Sequence, residues 1–104
     1  MVISDDFLEE VVQKELGFPS IDDFVRRQAY GIFQQKLSDC EAIIARYEAK
    51  YGMNFLTFQQ RIVNPQDEVL KPFSVFEKED DLLNWEFEYH SRPYFQQRLE
   101  QLSR

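Results

Sequence analysis

Cysteine and histidine occur once each in these 104 residues, as Cys40 and His90, and glycine occurs three times. A single cysteine forms no internal disulfide, which points to a reducing, cytoplasmic setting. One Cys and one His also fall short of a structural zinc set. Helical di-metal centres use Glu-x-x-His pairs, and the position three before His90 is Phe87. A catalytic histidine needs a nucleophile and an orienting partner, and no pattern around His90 supplies them. The three glycines are isolated, so no phosphate-cradling loop is present. No apolar run approaches the ~20 residues of a membrane span. Asp5, Asp6, Glu9 and Glu10 interrupt any signal-peptide core at the N-terminus. Cationic residues are scarce, with 12 Lys and Arg against 19 Asp and Glu and a net charge of −7. Arg26–Arg27 is the one adjacent basic pair. Nucleic-acid binding by the free chain is therefore not expected, because phosphate contacts need clustered positive charge. No metal, cofactor or catalytic set is expected, and the chain reads as a binding protein rather than an enzyme.

Apolar residues, by contrast, make up 43% of the chain and aromatic residues 15%, ten of them Phe. That composition argues against disorder and for a single domain with a modest core, burying roughly two thirds of the unfolded surface. The stretch from Ile21 to Tyr51 has no proline and one glycine, Gly31. Tyr30, Leu37, Ile44 and Tyr51 recur every seven residues, with Phe33, Cys40 and Tyr47 three residues after the first three of them. This is an a/d stripe held for about three heptads. Arg26, Gln34, Asp39, Glu41, Arg46, Glu48 and Lys50 occupy the other side, which is the face division of an amphipathic helix. At ~1.5 Å per residue such a helix runs roughly 45 Å, whereas a compact domain of this length has a radius of gyration near ~13 Å. One protomer does not easily cover so long a stripe. The expectation is an intertwined homodimer joined through Tyr30, Phe33, Leu37, Cys40, Ile44 and Tyr47, unless the helix breaks or makes a close crossing at Gly31.

Shorter elements flank the long helix. Met1–Ser4 reads as at most a stub of strand. Ser4 is placed to cap a first helix whose inner face is Phe7, Leu8, Val11, Val12 and Leu16, with Gly17 as its C′ residue. Ser20 then caps the long helix, with Asp23 three residues on. Gly52 ends it, and Asn54 is placed to cap a short helix carrying Phe55, Phe58 and Ile62. Gln66–Phe76 is irregular: Pro72 forbids a helix interior, and Phe73, Val75 and Phe76 suggest an extended segment over the core. The last helix is expected from near Lys78, with its stripe formed by Leu82, Trp85, Tyr89, Leu99 and Leu102. Pro93 is expected to break it, because proline in a helix interior removes one hydrogen bond and clashes with the preceding turn. Trp85 is expected to be buried with its indole N–H hydrogen-bonded.

A partner protein is placed on the C-terminal half, through Phe73, Phe76, Asp80, Asp81 and Trp85. There, aromatic side chains stand beside the acidic run Glu77–Asp81, which would steer a small basic protein. Residues 1–64 are accordingly read as the dimerising part and residues 65–104 as the partner-binding part of one helical domain.

Two stretches resemble a known family setting. Glu15-Leu16-Gly17-Phe18-Pro19-Ser20-Ile21-Asp22-Asp23-Phe24-Val25-Arg26-Arg27 resembles the helix–turn–helix portion of ribbon-helix-helix antitoxins. That family has a DNA-contacting strand before the first helix; here only Met1-Val2-Ile3-Ser4 precede it, with no basic residue. What the resemblance implies is thus a dimerising helical pair rather than DNA binding. Tyr47-Glu48-Ala49-Lys50-Tyr51-Gly52-Met53-Asn54-Phe55 and Glu79-Asp80-Asp81-Leu82-Leu83-Asn84-Trp85-Glu86-Phe87 are similar to stretches of small acidic helical proteins encoded beside toxins in bacteria. That resemblance implies neutralisation of a small toxin, often an RNase. The expected protein is all-α, a helical hairpin or bundle built on the helix at about 21–51 with a Pro-interrupted C-terminal helix. Its expected function is antitoxin-like sequestration of a partner. The alternatives are a small helical adaptor or assembly factor and, in another class, a carboxylate-metal protein.

Overall fold

The computed structural model describes residues 5–104, so the strand stub at Met1–Ser4 and the cap at Ser4 lie outside the described residues. Helix α1 (Asp5–Glu10) widens into a π-helical turn at Val11–Glu15, where the N–H of Leu16 bonds to the carbonyl of Val11 at 3.0 Å. Gly17 ends it with φ +77°, a left-handed conformation that glycine adopts without strain. Of its expected inner face only Val12 is buried, and Phe7, Leu8 and Leu16 stand exposed. This short segment packs against the long helix that follows it.

The caps read from the sequence form as expected. The Ser20 hydroxyl accepts from the N–H of Asp23 at 3.1 Å and opens α2 (Ile21–Tyr51), which runs unbroken for 31 residues. Gly52, with φ +69°, closes α2 through its N–H to the Glu48 carbonyl at 2.8 Å. The side chain of Asn54 accepts from the N–H of Thr57 at 2.9 Å, opening α3 (Phe55–Arg61). Helix α4 (Val75–Leu102) is continuous over 28 residues. It starts three residues before the expected Lys78, because the Ser74 hydroxyl accepts from the Glu77 N–H at 3.1 Å. No strand occurs among the described residues.

Helices α2 and α4 form an antiparallel hairpin. Along α2, Phe33, Cys40, Tyr47 and Lys50 meet Phe95, Glu88, Trp85 and Asp81 of α4 in turn. The molecule is a rod of 66 × 31 × 16 Å with a radius of gyration of 21.2 Å, well beyond the ~13 Å of a compact chain of this length. The length mismatch that suggested a second copy is resolved by this shape. The heptad stripe lies under α4 of the same chain, with Cys40 and Ile44 buried and Tyr30, Phe33, Leu37 and Tyr47 half-buried. The expected division at residue 64 also cuts through one core, since Cys40, Ile44, Tyr51, Phe55 and Phe58 pack with Leu70 and Trp85.

Pro93 lies inside α4 rather than at a break. The ~3 kcal/mol that an interior proline costs is offset by packing on both sides of it. Tyr89 stacks on Phe55 at 4.7 Å, and Phe95 meets Phe33 at 6.2 Å, so both segments are held on one axis. At Gly31 a Cβ would have nothing within 4 Å, which rules out a close crossing there. The glycine therefore only weakens the helix. Gly31→Ala should stabilise the protein by about 0.5–1 kcal/mol, read as a higher midpoint in denaturant with an unchanged slope.

Candidate protein-interaction site

Residues 62–74 decide which side chains near the start of α4 face the core and which face solvent. This segment is a series of turns rather than an extended strip. Asp67 organises it. Its carboxylate accepts from Arg61 Nε at 2.7 Å and from the Arg61 guanidinium again at 3.0 Å. It also accepts from the backbone N–H groups of Val69 and Leu70 at 3.0 and 3.1 Å. The paired guanidinium and these N–H groups hold the Asp67 carboxyl below its ordinary pKa. The turn they fix drives Leu70 into the core, where it is completely buried. Neither Asp67 nor Leu70 stood out in the sequence, because an Asx-type turn leaves no periodic signal.

Trp85 is the centre of the core. It is completely buried and meets the rings of Phe58, Tyr47 and Phe55 at 5.1, 5.5 and 5.6 Å. The expected burial holds, but the expected hydrogen bond does not form: among the described residues its Nε1 has no acceptor. Rings surround the indole, and the carboxylate one turn earlier, Asp81, is already engaged. Asp81 Oδ2 accepts from the Tyr51 hydroxyl at 2.5 Å and from Lys50 Nζ at 2.6 Å. Lys50 also reaches Glu77 at 2.6 Å. Burial and the bond to Asp81 push the Tyr51 hydroxyl above its ordinary pKa. The two carboxylates likewise raise that of Lys50. Phe73 is half-buried against the Tyr51 ring at 4.9 Å. Asp81, Trp85 and Phe73 therefore belong to the seam between α2 and α4, not to a partner surface. Of the five residues assigned to the partner, only Phe76 and Asp80 stand fully in solvent.

Cys40 donates to the Glu88 carbonyl at 3.1 Å across the same seam. Burial first, and contact with Glu88 second, push its thiol up to about 11. It is a small core residue, and thiols in such surroundings are inert.

The outer face of α4 shows an order that the sequence reading missed. Phe76, Leu83 and Phe87 project into solvent, and Tyr94 is partly exposed, with its ring 6.4 Å from that of Phe33 on α2 and Arg98 over its face. Their spacing of seven, four and seven puts them in one row, on the side opposite Asp81, Trp85 and Tyr89. Asp80 and His90 complete the row and are exposed too. The alternating step of four and three was the available signal. It was obscured because α4 carries aromatic residues on both faces. Leu83, Phe87, His90 and Tyr94 border a shallow, open depression of about 470 Å³. Glu86 lies beside it, 3.9 Å from His90 Nε2. Lining of this kind offers apolar contact with one polar edge and no enclosed chamber.

Among the described residues, no group of three or more His, Cys, Asp or Glu side chains is placed to hold a metal ion, and no helix is long and apolar enough to cross a membrane. No protein-family model, curated protein or solved structure matches the chain.

Proposed function

We propose that this chain is a non-catalytic, antitoxin-like binding module that sequesters a small basic protein in the cytoplasm on the outer face of α4. One observation carries the reading: Phe76, Leu83 and Phe87, with the partly exposed Tyr94 at the end of their row, stand in solvent on a helix whose opposite side is already packed. Ordered exposed apolar surface of this kind marks an interaction site. Aromatic anchors ringed by charge are typical of interface hot spots. Glu79, Asp80 and Glu86 border the row, so the face would speed encounter with a basic partner. The resemblance of the Glu79–Phe87 stretch to small acidic proteins encoded beside toxins supports a small toxin, such as an RNase, as that partner.

The test is to look for an adjacent reading frame that encodes a small basic protein and to co-express the two; absence of such a frame would count against a toxin as the partner. Wild-type chain should form a stable complex and relieve toxicity. Leu83→Glu with Phe87→Glu should weaken binding roughly 30-fold or more, the scale of losing a hot spot, with an unchanged circular dichroism spectrum. Asp80→Lys should slow association. Full-strength binding by all these variants would remove α4's outer face from the interaction.

A further inference from the structure

The row on α4 is self-complementary when read antiparallel. Counted outward from position 85, Leu83 is matched by Phe87, Asp80 by His90, and Phe76 by Tyr94. Two such helices related by a two-fold axis would therefore set apolar against apolar at four levels and a carboxylate against an imidazole at the two levels between them. The charge along the helix has the same polarity. Its first half carries Glu77, Glu79, Asp80, Asp81, Glu86 and Glu88 against Lys78, and its second half Arg92 and Arg98 against Glu100. A parallel pair would put Asp80 on Asp80 and acidic turns on acidic turns. An antiparallel pair sets the less acidic second half of one helix alongside the acidic first half of the other. Near the axis, Glu86 lies 3.9 Å from His90 Nε2 of its own chain.

We infer that in the free protein the outer face of α4 is covered by a second copy of the chain, antiparallel, in the register that places Asp80 of one protomer against His90 of its partner. The inference rests on the reading of this face as the binding face, and it names the occupant before a basic partner arrives. The dimer seam is thus the outer row of α4 and not the heptad stripe of α2, which α4 itself covers.

The exposed area is adequate. Phe76, Leu83, Phe87 and Tyr94 are 81%, 67%, 69% and 47% exposed. At ~150–250 Å² for a large side chain, they offer roughly 500 Å² per protomer. A pair would bury about 1,000 Å², the lower bound for a specific interface. A dimer at that bound is weak enough to exchange, so a basic partner that takes the same face would compete with the second copy.

Sedimentation of the full chain at tens of micromolar should show a dimer in reversible equilibrium with monomer. Leu83→Glu with Phe87→Glu should leave only monomer, with an unchanged circular dichroism spectrum. Orientation is read by charge exchange. Asp80→Lys and His90→Glu should each weaken the dimer several-fold, and the double variant Asp80→Lys/His90→Glu should restore it, because each new lysine then faces a new glutamate. In a parallel pair the double variant would set lysine on lysine and stay weak. A monomeric wild-type chain, a dimer indifferent to Leu83 and Phe87, or a double variant that fails to recover would each overturn the inference. A wild-type monomer that still takes its basic partner on this face would sink the dimer alone and leave the proposed function standing.

Discussion

Trp85→Ala should remove about 3–5 kcal/mol of stability, a large share of the ~5–15 kcal/mol available to a domain. The ring lies completely buried between α2, α3 and α4. Its loss opens a void where the hairpin and the short helix meet. The rest of the rod is only two helices thick, so no second layer can collapse into the space. Chemical denaturation followed by circular dichroism measures the loss. Trp85→Phe should fall well short of it, because a ring remains and the unpartnered indole N–H is gone. Native fluorescence should be blue-shifted and poorly quenched by iodide. Wild-type-like stability of the alanine variant would show that the core lies elsewhere.

Asp81→Ala should cost about 2–3 kcal/mol. The buried hydroxyl of Tyr51 loses its acceptor, a desolvation penalty of ~1–3 kcal/mol, and Lys50 loses the closer-buried of its two carboxylates. Lys50 retains Glu77 and water, which keeps the loss below that of a fully buried pair. Asp81→Asn keeps an acceptor for Tyr51 and should cost less. The network also sets a pH dependence. Tyr51 and Lys50 both have folded pKa values raised above their ordinary values. Stability they contribute is therefore complete below those ordinary values, near ~10, and is lost as pH rises through the raised folded values. Wild-type protein should lose stability in alkali above pH ~10, and Asp81→Ala should show less of that loss. A flat profile for wild type in this range would remove the network from the stability of the hairpin.

Local signals in the sequence translated directly into structure. Ser20 with Asp23, Asn54, Gly17 and Gly52 act on backbone groups within a few residues, so their effect needs no tertiary context. The seven-residue spacing of Tyr30, Leu37, Ile44 and Tyr51 identified the buried face of α2 for the same reason. Its covering partner was not legible, since a stripe states that something packs on it and not what. Pro93 shows the opposite failure. Its intrinsic cost argues for a break, yet contacts of Tyr89 and Phe95 made far along the chain outweigh it.

The division at the candidate site follows the same line. Glu77, Asp80 and Asp81 are alike in sequence, and nothing local separates them. The helical turn begun by Ser74, together with the Asp67 turn that inserts Leu70, sets the rotation of α4. That rotation sends Asp81 and Trp85 inward and Phe76, Asp80 and Phe87 outward. By itself the sequence determined an all-α chain, the position of its long helix, the caps and the buried stripe, because those depend on periodicity and on bonds between near neighbours. Only the tertiary structure decided which helix covers the stripe, which of the aromatic residues of α4 are core, and which are left in solvent. One helix with apolar residues on two opposite faces can bury only one of them against α2, and packing makes that choice.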